Sequence, residues 1–533
     1  MDILFLHVPK FSNYYKPINR FSFILFPPMG LLGLADYLRK NQCSTRIVHL
    51  GVEKHKHGGI NLDNIIAEHA PAMIGLDLHW HFQSFDVIEV ARRIKETHPE
   101  IAVVLGGFTA SLFADEILGA FDCVDFVIRG DSEVPLSDLV SQYRSGRAYH
   151  QVPNLAFREG GAIRINPISY VADKSIIDSV SYTDFTLMKD YPTFVDSFSR
   201  YENINGVSET FQKLVFGKQK GYPVFIGQGC IHSCSFCGGS KEAQAIINNR
   251  THLCFRSVGS VLSSIKDLQQ YGFNFAYLNY DPLPAPQGEE FYFSLFEGIR
   301  SLGITLSFEI ERWYLPTRRF VQAFRGLPGR DSYITLSVNS HNEEIRRKNR
   351  LHRYSNEELE DCLKVMDEEG VNCVLFFASG LPFERAEDLK AMAEYQRQLQ
   401  KKFRRLKCKT SMIAIEPGSE MSRDPQAYGV EPHRLSFLDY YHYHAQPFRN
   451  DSLELGYNRV GCPGEEDVAH FFCRHFCSHF RTGRVPPFLC RTLCSMASAM
   501  WRVGAFQLFD KIIGSRLEEP RRPTGGISEG KVV

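Results

Sequence analysis

The chain lacks an excess of charge of either sign: Lys+Arg and Asp+Glu are both 61 in 533 residues. A protein dedicated to nucleic acid carries a basic surplus to neutralise phosphates, so the balance argues against that class. The local basic run Lys401–Lys402 with Arg404–Arg405 reads as a solvated helix face. Also missing is any uncharged stretch near the roughly 18 apolar residues of a membrane span, so no transmembrane segment is expected. The start, MDILFLHVPKF, has an apolar run of only about five residues and no basic patch before it. It reads as a first β-strand rather than a signal peptide, and the expected location is cytoplasmic. In a reducing compartment, 14 cysteines are metal ligands or buried thiols sooner than disulfides. No internal repeat and no long low-complexity tract is visible.

What is present is strand–helix alternation in two blocks, consistent with roughly two to four domains for this length. Residues 1–145 contain the apolar runs DILFLHV, TRIVHL, AMIGLDL, IAVVLGG and CVDFVIRG, separated by amphipathic stretches. That pattern predicts an α/β domain built on a doubly wound, Rossmann-like parallel sheet. Ligands of such sheets sit beyond the carboxyl ends of the strands, here the loops after Val8, Asp77 and Gly106. Residues 146–215 read as a connector with little core of its own, wrapping both neighbours. Residues 216–430 hold six further strand–helix units, beginning at YPVFIGQGC, and predict a partial (β/α)6 barrel. Residues 431–515, rich in aromatics, His and Cys, form a mainly helical cap, and 516–533 a disordered tail.

The strongest chemical signal is GQGCIHSCSFCGGS, where Cys230, Cys234 and Cys237 are spaced C-x3-C-x2-C just after a strand. Three thiolates crowded into one loop can hold three corners of a 4Fe–4S cubane and leave one iron open to a substrate. Gly229, Gly238 and Gly239 permit the tight backbone turns that such a loop needs. Two other readings of the same residues are buried thiols and a zinc site with His232 as its fourth ligand.

C-x3-C-x2-C with an aromatic residue, Phe236, before the last cysteine resembles the radical S-adenosylmethionine superfamily. The resemblance implies a reduced cluster that cleaves S-adenosylmethionine to a 5′-deoxyadenosyl radical, with a flavodoxin or ferredoxin as electron donor. It also implies cofactor contacts from Phe236, Gly238 and Gly239 and from later strand ends. These are Tyr280 and Asp281 in YLNYDP, Glu309 in SFEIER, Asn339 and Ser340 in LSVNSHNEE, and Gly380 in ASGLPFERAEDL. The acidic residue usual in the ribose-contacting segment is absent, and Asn339 and Ser340 stand near its place.

The segments PPMGLLGLADYLR, VVLGGFTAS and DFVIRGDSEVPLSDLV resemble the cobalamin-binding domain that precedes many radical S-adenosylmethionine domains. That likeness implies cobalamin held by Asp77, His79, Gly106, Gly107, Thr109, Ser111 and Gly130, the glycine loop and nearby hydroxyl meeting the nucleotide tail. The Asp-x-His-x-x-Gly run that supplies a cobalt ligand in classical members is missing from VPKFSNYYKP. His79 could replace it from below, and a hydrogen bond within its own loop is the simpler expectation.

In the cap, Cys473/Cys477 and Cys490/Cys494 are each four apart and are expected to be core thiols rather than a second metal site. The cap is expected to close the open side of the barrel over a small-molecule or lipid-like substrate. The combined resemblance implies methylation of an unactivated carbon or phosphorus through a 5′-deoxyadenosyl radical and methylcobalamin. The same cofactors also serve ring formation, rearrangement or oxidation, and a non-catalytic cobalamin or iron sensor is a third reading.

Overall fold

The structure, a computed structural model, describes residues 1–10, 27–199, 220–281, 283–284, 286–445 and 457–459. The expectations for Cys473, Cys477, Cys490, Cys494 and the tail fall outside the described residues. Five parallel strands open the chain: β1 (Ile3–His7), β2 (Thr45–His49), β3 (Met73–Asp77), β4 (Ala102–Gly106) and β5 (Phe126–Ile128). Their spatial order is β2-β1-β3-β4-β5, which puts a switch in strand order between β1 and β3. Alternate residues explain the double winding. Ile3, Phe5, Ile47 and Val104 enter one hydrophobic core, while Leu4, Leu6, Val48 and Leu105 enter the other.

The sheet does not stop at residue 145. β6 (Leu155–Glu159) and β7 (Ala162–Ile165) extend it antiparallel beyond β5. Gly160 and Gly161, at φ 58° and 82°, make the two-residue hairpin turn between them. The expected domain boundary therefore moves into the connector. The rest of the described connector packs on both neighbours: Phe194 faces His49 of β2 as well as Tyr222, and Phe198 faces Tyr222 and Phe273.

The second sheet begins with β8 (Gly221–Pro223); β9 (Gly227–Gln228) and β10 (Cys254–Phe255) form a small antiparallel ribbon beside it. It continues with β11 (Phe275–Leu278), β12 (Ser307–Arg312), β13 (Tyr333–Asn339), β14 (Asn372–Ser379) and β15 (Leu406–Met412). These six strands are parallel in the order β15-β14-β13-β12-β11-β8, an open half-barrel. Phe308, Ile310 and Arg312 of β12 pack outward with the helices Gln287–Ser301 and Arg318–Arg325. Alternation then turns Glu309 and Glu311 to the inner face.

The described helix of the cap docks elsewhere than expected. Helix Phe437–Ala445 lies on the first domain, where Phe437 and Tyr440 join its core beside Phe113 and Phe121. Phe437, Tyr440 and Tyr441 sit at i, i+3 and i+4, so they share the face that fills this groove. His444 then links two strand-end loops: Lys10 donates to its Nδ1 at 3.1 Å, and its Nε2 lies 3.3 Å from His81 Nδ1. Burial holds this imidazole neutral, far below its ordinary pKa. A short pair, β16 (Val430–Pro432) with β17 (Tyr457–Arg459), returns to the barrel, where the Tyr457 hydroxyl donates to Gly380 O at 2.5 Å. No described helix is long and apolar enough to cross a membrane.

Candidate functional site

The three cysteines lie in the loop between β9 and helix Lys241–Asn248, which Ser240 caps by accepting from Ala243 N. Backbone N–H groups already serve the sulfurs: His232 N donates to Cys230 Sγ and Gly239 N to Cys237 Sγ, each at 3.3 Å. Such donors favour the thiolate that a metal requires. Burial opposes it, raising the Cys230 thiol and pushing Cys234 up to about 12. Deprotonation therefore has to accompany metal binding.

Residues that the sequence did not single out hold the loop. Ser235, fully buried, donates from N to Asn349 O at 3.1 Å and from its hydroxyl to Asn349 Oδ1 at 2.8 Å. Asn349 donates in turn to Pro382 O at 3.0 Å, in the turn after β14. Gly238 N donates to Glu416 Oε2 at 2.7 Å, and a Cβ on Gly238 would lie 2.9 Å from Pro417 O. Glycine is needed there because backbone fills the space.

Around one zinc, ligands at about 2.3 Å place neighbouring sulfurs within about 4 Å of each other. Among the described residues the three sulfurs and His232 form no set of three ligand atoms mutually within 4.8 Å. Instead His232 packs among Trp313, Tyr314 and His352, with ring centroids 5.2–5.4 Å away. A cubane, whose cysteines bind different irons, suits the wider spacing.

Of the residues expected near S-adenosylmethionine, Phe236 is half-buried against the main core and Gly238 and Gly239 complete the cysteine loop. Tyr280 braces that loop, its hydroxyl donating to Gln228 O at 2.5 Å and reaching Gly229 O at 3.2 Å. Asp281 is turned away: it is 1% exposed, paired with Arg312 Nε at 3.1 Å, and accepts from Trp313 N at 3.0 Å. Burial pushes its carboxyl up to about 7 against the pull of Arg312. Glu309 stays on the inner face, accepting from the Tyr333 hydroxyl and Thr335 Oγ1, both at 2.7 Å. Asn339, at φ 63°, turns the chain out of β13 and donates to Ser337 O. Ser340 is fully buried and accepts from Asn342 N at 3.2 Å. Gly380, at φ 91°, donates to Glu384 Oε2 at 2.7 Å.

In the first domain the loops after β1, β3, β4 and β5 meet at the carboxyl edge. Gly107 has φ 106°, and a Cβ there would lie 2.8 Å from the His79 backbone. Thr109 Oγ1 donates to His79 O at 2.9 Å, and Ser111 Oγ donates to Gly107 O at 2.7 Å. Both hydroxyl protons are thus committed to loop carbonyls, and these residues build the cradle. Gly130, at φ 73°, donates to Ser111 Oγ at 2.9 Å. Asp77 also organises the loops, binding His7 Nδ1 at 2.6 Å. The His79 ring makes no hydrogen bond with the described residues. It stacks on Phe108 with centroids 4.8 Å apart, and burial lowers its pKa, which corrects the expected bond within the loop. A neutral imidazole at a glycine-shaped edge fits a flat macrocycle with a nucleotide tail.

Next to this edge, burial and then the charge of Asp131 push the Glu133 carboxyl up from 4.5 to about 7. The folded state therefore holds an extra proton between those values, and stability falls as pH rises from 4.5 through 7. The loss is on the order of 3 kcal/mol. Glu133→Gln should remove it: between pH 5 and pH 8, the melting temperature of the variant should fall less than that of the wild type. Parallel curves would place the raised pKa elsewhere.

The family model described as the B12 binding domain matches residues 24–140, and that of the radical SAM superfamily matches residues 224–395. An uncharacterized methyltransferase of Pyrococcus horikoshii is 24% identical over 216 residues, 40% of this chain and 41% of its own. The hopanoid C-3 methylase of Methylococcus capsulatus is 28% identical over 142 residues, 26% of each chain. The chain thus spans less than half the length of these curated relatives. Two solved structures share the fold. The radical S-adenosylmethionine methyltransferase TsrM from Kitasatospora setae, with tryptophan substrate and a SAM analogue, has a TM-score of 0.58 at 14% identity, covering 89% of this chain and 83% of that one. The cobalamin-dependent S-adenosylmethionine radical enzyme OxsB with aqua-cobalamin has a TM-score of 0.60 at 12% identity, covering 97% of this chain and 73% of that one. The chain belongs to the radical S-adenosylmethionine superfamily and joins that domain to a B12-binding domain, so its cofactors are a 4Fe–4S cluster, S-adenosylmethionine and cobalamin.

Proposed function

We propose that this protein is an enzyme that methylates an unactivated carbon, or phosphorus, of a small molecule. The observation that carries the reading is the junction between the two cofactor loops. Helix Phe108–Leu112, after the Gly106–Gly107 turn, packs on helix Lys241–Asn248, after the cysteine loop. Gly418, in the loop after β15, approaches both, with a would-be Cβ 3.2 Å from Ile247 and 3.6 Å from Leu112. The carboxyl edge of the first sheet therefore meets the mouth of the barrel. When bound, the cluster supplies the electron that cleaves S-adenosylmethionine to a 5′-deoxyadenosyl radical, and cobalamin supplies the methyl group. Cys230, Cys234 and Cys237 would hold the cluster, and the Gly107, Thr109, Ser111 and Gly130 loops would hold the corrin's nucleotide tail. The methyltransferase names of the relatives support this reading.

The inner face of the barrel favours a polar substrate over a lipid-like one. Glu309 is held by Tyr333 and Thr335, and Glu311 accepts from Ser337 Oγ. Burial, with repulsion from Glu309, raises the Glu311 pKa, so a cationic or hydroxyl-bearing substrate would relieve a real electrostatic cost.

The test is anaerobic purification with iron, sulfide and cobalamin supplied, then turnover with methyl-labelled S-adenosylmethionine and candidate polar substrates. The expected result is 5′-deoxyadenosine and S-adenosylhomocysteine in equal amounts, with label in the product. Product with 5′-deoxyadenosine but no S-adenosylhomocysteine would replace methyl transfer by ring formation, rearrangement or oxidation.

A further inference from the structure

Between the two cofactor loops runs an unbroken set of bonds centred on Arg250, a residue absent from the sequence motifs. Arg250 is 1% exposed, and three acceptors gather around one terminal nitrogen, Nη2, and share its two N–H groups. The acceptors are Asp131 Oδ2 at 2.6 Å, Gln228 Oε1 at 2.5 Å and Ala172 O at 2.9 Å. Asp131 belongs to the first domain, directly after Gly130, whose N–H donates to the Ser111 hydroxyl of the Gly107 loop. Gln228 belongs to the second domain, two residues before Cys230, and its carbonyl receives the Tyr280 hydroxyl.

The backbone beside this bridge is closely packed on both sides. A Cβ on Gly130 would lie 3.2 Å from Asn248 Cα, and one on Gly229 would lie 2.7 Å from His252 O and 3.3 Å from Arg250 Cδ. Gly130 and Gly229 are held at φ 73° and 91°, conformations that only glycine adopts readily. A shift of either loop is therefore passed to the other through bonded groups and backbone contacts rather than absorbed by solvent.

We propose that Arg250 is a positioning residue that couples the two cofactor sites, so that cluster assembly raises the affinity for cobalamin and cobalamin raises that for the cluster. The coupling rests on the cofactor assignment above and adds to it a dependence between sites. Each loop loses conformational freedom when its cofactor binds, and a loop already ordered through the Asp131–Arg250–Gln228 bridge has less to lose. Linkage requires the two effects to be equal.

The test is a titration of the full chain with hydroxocobalamin, once after anaerobic cluster reconstitution and once after iron chelation. The wild type is expected to bind about 5–150-fold more tightly with the cluster in place. Arg250→Gln should bring that ratio close to one, and Arg250→Lys, which keeps the charge opposite Asp131, should restore part of it. Where Arg250→Gln alone does not fold, Asp131→Asn combined with Arg250→Gln removes both charges and is expected to show the same ratio near one. A merely structural role would weaken binding in both states and leave the ratio unchanged. A ratio near one in the wild type, or a wild-type ratio in the severed variants, overturns the coupling. No hydroxocobalamin binding in either state overturns the cobalamin reading itself, and the coupling with it.

Discussion

Cys234→Ala is expected to abolish 5′-deoxyadenosine formation to the uncatalysed background and to leave the protein short of four irons. The residue is the middle corner of the C-x3-C-x2-C loop, and its loss leaves only two of the three thiolates that would hold the cluster. The fold should survive. The loop is anchored by Ser235 to Asn349 and by Gly238 to Glu416, neither of which uses the Cys234 side chain. The measurements are iron and sulfide content, the absorbance spectrum after reconstitution, and a chromatographic assay for 5′-deoxyadenosine. Retained 5′-deoxyadenosine at wild-type rates would remove Cys234 from the cluster. Unfolding of the variant, read by circular dichroism, would instead make its role structural.

The strands were legible because most are buried on both faces and read as continuous apolar runs, and their helices as amphipathic stretches between them. The cysteine loop was legible because the chemistry demands fixed residue types at short spacing. What escaped depends on neighbours distant in the chain. Asp281 lies three residues past the end of β11 and Arg312 ends β12; only the pairing of these two strands makes them a buried pair and withdraws Asp281 from the mouth. Arg250 gains its role from a carboxylate 119 residues away. Glu416 acts through a backbone N–H, and no side-chain pattern marks such a partner. The cap helix carried the correct aromatic spacing, but periodicity states that a face is buried, not which domain buries it. The bonds from Thr109 and Ser111 to loop carbonyls could not be read from the motif. Hydroxyl groups close to a tight turn satisfy its own carbonyls before any ligand arrives.

Gly107→Val should lower cobalamin occupancy at least about tenfold, roughly 1.4 kcal/mol in binding, while iron content stays at the wild-type value. Two effects act together. Gly107 sits at φ 106°, where a β-branched residue costs on the order of 1–3 kcal/mol in backbone strain. Its Cβ would also lie 2.8 Å from the Cα and N of His79 and from the carbonyl carbon of Leu78, backbone atoms that cannot rotate aside. Relief requires the β3 and β4 loops to separate, which pulls on both hydrogen bonds from Thr109 to His79 O. Gly106→Ala is the informative control. Within the protein, a Cβ at Gly106 meets nothing nearer than Ser132 Oγ at 4.0 Å. Loss of cobalamin in Gly106→Ala would therefore mean that the cofactor itself approaches that backbone. Cobalt and iron are measured on the same reconstituted samples, and melting temperatures report the strain separately. Wild-type cobalt content in Gly107→Val would take this loop out of the cobalamin site. Parallel loss of cobalt and iron would show instead that the substitution disrupts the junction through helix Phe108–Leu112, which packs against the helix following the cysteine loop.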